Sequence, residues 1–192
     1  MVNFNIKRFC WLIGLILITS FLLIRLIFGH IEDFSIGLLW GDISSSISIT
    51  AIIVFVFEKW LWKLPIFRGW LVPFPSLSGE WIGSISYKWN NEDNRKDISI
   101  IIHQSFLRIQ IIMETDESKS RSVGGSFDID KMRGYQRLIY SYLNEPEVTV
   151  RNRSQIHYGT AMLEYNDKED TLKGTYWTDR KTTGCIVLTK LK

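Results

Sequence analysis

Cysteine is nearly absent: Cys10 and Cys185 are the only two in 192 residues. They lie far apart and in different regions, which leaves no disulfide framework and suits a reducing compartment. Histidine is scarce too, with His30, His103 and His157 the full set. No HExxH, CxxC, GxSxG or Walker A pattern occurs, so the usual metal, nucleophile and phosphate-loop signatures are missing. The expectation is a protein that is not an enzyme, binds no metal and carries no cofactor. Charge of one sign is lacking as well. From Gly69 onward 17 Lys and Arg stand against 16 Asp and Glu. That balance disfavours DNA or RNA polymers as partners, because they require a basic face. No internal repeat or low-complexity tract occurs.

What the chain has is concentrated at its start. Residues 9–28 and 36–57 are almost continuous Leu, Ile, Val, Phe and Trp, broken by one charge each, Arg25 and Asp42. About 20 apolar residues in a helix cross a bilayer core, and lone strands there would leave backbone groups unpaired. Two transmembrane helices are expected, within residues 1–64. Lys7 and Arg8 also look like the basic start of a signal peptide. The long apolar run, the missing small-x-small site and the immediate second span oppose cleavage. Lys7 and Arg8 precede the first span, Lys59, Lys63 and Arg68 follow the second, and the connecting loop has no Lys or Arg. The positive-inside rule then puts both termini, and everything after the second span, in the cytoplasm. Trp40, Trp60, Trp62 and Trp70 fall near span ends, where amphipathic rings favour the interface.

The second span is not a plain anchor. Asp42, Ser46 and Thr50 recur every four residues and share one helical stripe. Two readings follow. Asp42 sits at the periplasmic interface, where Arg25 snorkels to it and pairs. Alternatively, Asp42, Ser46 and Thr50 form a membrane assembly face through which copies of the chain associate and line a pore.

Residues 65–77 read as a linker, with Pro73 and Pro75 imposing an extended path. Residues 78–192 form a domain of ordinary size. Period-two patterning predicts eight short strands at 80–89, 97–104, 106–115, 119–129, 136–144, 157–166, 171–178 and 184–191. Short polar turns separate them, which favours an antiparallel, eight-stranded up-and-down β-barrel. Such a barrel removes exposed edges and can enclose one small ligand. A β-sandwich is the rival, though its crossovers need longer connections.

Within this domain, aromatic and polar residues gather near strand ends. Tyr142 and Asn144 share a face and lead into Glu145-Pro146, and Tyr176, Thr178, Arg180 and Thr182 are in phase if their strand continues. Gly159 and Gly174 remove bulk from adjacent strands, which makes room inside a barrel. Rings stack on bases and Arg forks onto phosphate, so a nucleotide ligand fits; a tyrosine-rich core with Arg180 in a solvated turn fits equally. His157 serves either as a structural hydrogen-bonding group or as a contact.

The two spans, followed by LSGEWIG at 77–83, IHQ at 102–104, YSYLNEP at 140–146, HYG at 157–159 and LKGTYWTDR at 172–180, resemble one family. It is the two-transmembrane, β-strand-rich effectors associated with bacterial cyclic-oligonucleotide synthases (CD-NTases) in CBASS anti-phage systems. The resemblance covers nearly the whole chain, and the GTYWTDR stretch is its most specific part. It implies a minimal barrel that binds a cyclic dinucleotide made by the partner CD-NTase after infection. Binding would promote oligomerisation in the bacterial inner membrane, disrupt it, and stop growth of the infected cell (abortive infection). Ligand contacts expected from this sequence are Tyr142, Asn144, His157, Tyr176, Thr178 and Arg180, with Arg121 and Gln104 as further candidates. The Gly79-Glu80-Trp81 start also resembles the Gly-x-Trp of lipocalin-type barrels, which would make the domain a membrane-anchored lipid or hydrophobic-ligand carrier. A tethered scaffold for a protein partner is the third reading.

Overall fold

The computed structural model describes residues 5–89, 92–130 and 132–191. The expected turns at 90–94 and 130–134 therefore fall partly outside the described residues, and of Trp89 only the backbone is described. The chain divides into two compact units, parting between Val72 and Pro73.

In the first unit, α1 spans Ile6–Ile27 and α2 spans Ile36–Lys59. Asn5 begins α1 by accepting the Arg8 N–H on its side chain at 3.1 Å, which satisfies one of the open amides of the first turn. At about 1.5 Å per residue, both helices exceed a bilayer core of about 30 Å. Both are long and apolar enough to cross a membrane, and most of their apolar surface is unburied. The pair suits membrane anchoring and not the core of a soluble bundle.

Most of the buried helix residues are polar, with Ile24 and Phe57 the apolar ones. Ser20 and Arg25 of α1, with Asp42, Ser46 and Thr50 of α2, are all under 10% exposed. Arg25 Nη1 lies 3.1 Å from Asp42 Oδ2, and His30 Nδ1 lies 3.1 Å from Asp42 Oδ1. The same guanidinium donates to the carbonyls of His30 and Asp33. One cation thus joins the two helices and closes the loop between them. Ser46 donates to the Asp42 carbonyl at 2.6 Å, and Thr50 to the Ser46 carbonyl at 2.7 Å. Those hydroxyls serve their own helix instead of bonding across to a neighbour. Of the four span-end tryptophans, Trp62 is buried, whereas Trp40, Trp60 and Trp70 are exposed.

The second unit is a closed barrel. Its strands are β1 (Gly79–Trp89), β2 (Glu92–Gln104), β3 (Ile109–Thr115), β4 (Ser118–Asp130), β5 (Tyr135–Pro146), β6 (His157–Asn166), β7 (Thr171–Thr178) and β8 (Thr183–Lys190). Each is antiparallel to its sequence neighbours, and β8 returns to β1, with Trp81 opposite Lys190 and Tyr87 opposite Gly184. The sandwich alternative is thereby excluded. Two strand starts differ from the pattern reading by more than one residue. β2 begins five residues earlier than its apolar run, because Glu92, Asp93 and Asn94 pair with Trp89, Lys88 and Tyr87 through the backbone, where hydrophobic alternation is silent. β3 begins three residues later, because Ser105 and Arg108 form a turn: the Ser105 N–H donates to the Arg108 carbonyl at 2.9 Å.

The end at which the chain enters from Pro73 is packed shut. Phe74 stacks on Phe127 with centroids 5.4 Å apart and planes 9° apart, and Leu77, Trp81 and Phe106 have no exposed surface. Trp81 Nε1 donates to the Leu77 carbonyl at 2.9 Å. Gln104 holds the entering segment from both sides of its amide: Oε1 accepts the Leu77 N–H at 2.7 Å and Nε2 donates to the Pro75 carbonyl at 3.0 Å. Apolar packing therefore fills one end of the barrel, and any ligand space lies at the other.

Candidate functional site

At the opposite end, a cavity of about 430 Å³ opens beside the β3–β4, β5–β6 and β7–β8 connections. Inward positions of the strands build it. Ile85, Met113, Tyr140 and Ile186 form apolar lining, Tyr142, Tyr176, Ser120 and Asn144 line it too, and Lys96, Glu117, Arg153 and Arg180 bring charge. The volume falls within the range of small-molecule sites.

The tyrosines are held firmly. The Tyr140 and Tyr142 rings have centroids 5.9 Å apart. A Cβ at Gly159 would lie 2.4 Å from the Tyr142 ring, and one at Gly184 would lie 2.6 Å from the Tyr176 ring. Gly159 does free space inside the barrel, but a tyrosine already occupies it. Gly174 works differently from expectation: its Cβ would sit 1.9 Å from the Met162 carbonyl oxygen, so it permits close approach of two strands and adds nothing to the cavity.

Burial pushes the hydroxyls of Tyr140 and Tyr142 far up, with neighbouring tyrosine adding to the effect, and raises Tyr176 to about 12. Tyr165 is raised by burial and by its hydrogen bond to Asp170. An unfolded tyrosine ionises near 10. These four groups therefore stabilise the fold fully below pH 10, and that contribution is lost as pH rises from 10 through the folded values. In an alkaline titration followed by tyrosinate absorbance, the four signals should emerge together with loss of near-ultraviolet circular dichroism. Their appearance near pH 10 in a still-folded chain would contradict the packing described.

Polar partners orient the rest. Ser120 Oγ donates to Asn144 Oδ1 at 2.7 Å, across a β4–β5 register pair. β7 ends at Thr178, whose hydroxyl accepts the Thr182 N–H at 3.2 Å. The phase of Tyr176, Thr178, Arg180 and Thr182 thus crosses a tight turn, yet all four reach the cavity. Arg180 Nη1 donates to Ser154 Oγ at 3.3 Å and to the Gln155 carbonyl at 3.4 Å, tying the β5–β6 loop to the β7–β8 turn. His157 Nδ1 lies 2.9 Å from the Gln155 carbonyl. At the β3–β4 turn, Glu117 pairs with Arg153 and lies 3.5 Å from Lys96. Its hydrogen bond to Arg153, then the charge of Lys96, hold its carboxyl below the usual carboxylate range.

Tyr142, Asn144, His157, Tyr176, Thr178 and Arg180 are thus brought together in one cavity. Gln104 is not among them; it clamps the closed end. Arg121 points outward, is exposed, and lies 3.8 Å from Glu145. The sequence reading missed Lys96, Glu117 and Arg153. Lys96 is in phase with Ile98, Ile100 and Ile102, so a longer β2 would have found it. Arg153 and Glu117 lie in a loop and a turn, where no periodicity marks them.

Residues 72–190, the barrel and its entering segment, match the family model described as "Cap15, cyclic dinucleotide receptor domain". The chain belongs to the Cap15 family. CD-NTase-associated protein 15 of Staphylococcus schleiferi is 32% identical over 154 residues, covering 80% of this chain and 81% of the relative. That alignment is longer than the domain match, so the likeness extends into the helical hairpin. CD-NTase-associated protein 15 of Yersinia aleksiciae is 28% identical over 138 residues, which is 71% of this chain and 64%, under two thirds, of the relative. As a Cap15 receptor domain, the barrel is a binding module, and the cavity is an open, polar and aromatic recess at the end away from the packed one.

Proposed function

We propose that the open-end cavity binds a cyclic dinucleotide made by a partner CD-NTase, and that binding promotes self-association of the hairpins in the bacterial inner membrane. Disruption of that membrane then arrests or kills the infected cell. The observation that carries this reading is the cavity's charge and ring content. Lys96, Arg153 and Arg180 outnumber the single acid Glu117, which leaves a surplus of two positive charges. A cyclic dinucleotide carries two phosphodiester charges and two bases. Tyr142 and Tyr176 offer ring faces for the bases, each stack being worth about 1–3 kcal/mol, and the arginines suit the phosphates. Family membership supports the ligand class, and two helices able to cross a membrane support the site of action.

Both termini are assigned to the cytoplasm, with the loop between α1 and α2 on the periplasmic side. Calorimetry of the full chain in detergent micelles against cyclic di- and trinucleotides tests the ligand. Binding of a cyclic dinucleotide is expected, and no heat with any of them would refute the assignment. Native mass spectrometry of the same sample would expose a retained lipid if the barrel were instead a carrier.

A further inference from the structure

Glu117 is the one carboxylate lining a cavity assigned to an anion, and it bonds the cations that the anion would need. One of its oxygens pairs with Arg153 Nη2, and the other lies 3.5 Å from Lys96 Nζ. A carboxylate and a phosphodiester each present two terminal oxygens to such donors. The position of Glu117 does not depend on these ion pairs. Its N–H donates to Thr115 Oγ1 at 3.4 Å, and its carbonyl accepts the Glu147 N–H at 2.9 Å. Its side chain is nearly half exposed, so it can swing into solvent without leaving a buried charge.

We propose that Glu117 is an internal stand-in for a ligand phosphate: it holds Lys96 and Arg153 while the cavity is empty, and a phosphodiester of the ligand displaces it. This deepens the cyclic-dinucleotide reading and rests on it. The exchange sets a threshold, because the ligand must break two ion pairs before it makes its own. It also changes the mouth of the site. Glu117 lies in the β3–β4 turn, Lys96 on β2 and Arg153 in the β5–β6 loop, so release of the carboxylate removes the side-chain ties from the turn to a strand and to a loop, while the backbone bond to Glu147 remains. The lowered carboxyl of Glu117 agrees with an acid kept ionised by those cations.

A strut and a competitor differ in the sign of their loss. Glu117→Gln and Glu117→Ala remove the competing charge, and each is expected to tighten cyclic-dinucleotide binding by the full chain in detergent micelles. Loss of two exposed pairs corresponds to a gain of roughly two- to thirty-fold. The gain should shrink at high salt, which screens such pairs. Two variants guard against a fault in one, and each is checked for the wild-type unfolding temperature. If the wild type binds while both variants bind equally or more weakly, Glu117 is a strut and the inference falls alone. If neither wild type nor variants bind any cyclic dinucleotide, the functional assignment falls and this inference with it. Binding by the variants alone would support the inference in its strongest form.

Discussion

Replacing Trp81 with alanine should unfold the barrel at room temperature. Trp81 is fully buried at the closed end, with its ring edge-on to Tyr165 at 6.3 Å and Lys190 Nζ 5.6 Å from its centroid. Removing a large buried aromatic costs about 3–5 kcal/mol. The change also strips the Leu77 carbonyl of the indole N–H, and a buried acceptor left unpaired costs about 1–3 kcal/mol more. The sum, roughly 4–8 kcal/mol, is comparable to the whole stability of an ordinary domain. Chemical denaturation followed by circular dichroism measures it. Trp81→Phe keeps the ring and loses the donor, so it should fall between wild type and Trp81→Ala. A near-neutral Trp81→Ala would mean that the plug is not what closes the barrel.

The second large effect concerns the ligand. Joint replacement of Arg153 and Arg180 by alanine removes the arginines that line the cavity. A hydrogen bond to a charged group contributes about 1.5–3 kcal/mol. The pair then accounts for about 3–6 kcal/mol, a loss of affinity greater than about a hundredfold. Arg121→Ala serves as the control, because Arg121 is exposed, outward and paired with Glu145, so loss of a positive charge there should leave binding nearly unchanged. Equal effects of the two changes would point to long-range charge and not to contacts in the cavity.

Closure of the barrel was legible because its strands alternate. Inward Leu138, Tyr140, Tyr142 and Asn144 sit at every second position of β5, and His157, Gly159, Ala161 and Leu163 do so on β6. The cavity residues on those strands were legible for the same reason. Where polar residues pair through the backbone, as in Glu92, Asp93 and Asn94, no contrast between faces remains to be read, and β2 appeared shorter than it is. Lys96 was lost with it. Gln104 shows the converse error. Its type suits a ligand, but its strand end belongs to the barrel end that Phe74 and Leu77 fill.

The stripe of Asp42, Ser46 and Thr50 was equally visible in sequence and equally undecided there. Spacing puts the three on one face but does not say what covers that face. In the single chain they are buried within the hairpin, Asp42 with Arg25 and His30. An assembly through these residues would have to exchange the contacts that α1 now supplies.

By itself the sequence determined two apolar spans, the placement of Lys and Arg around them, eight alternating strands and a family likeness. These are properties of order along the chain: length of an apolar run, placement of Lys and Arg, and a period of two. Only the tertiary structure decided which end of the barrel is open, and that Glu117, Lys96 and Arg153 meet there. Those three residues come from a turn, a strand and a loop, separated by 21 and 36 positions. No local pattern couples residues so far apart; barrel closure does, by bringing alternate connections to one rim.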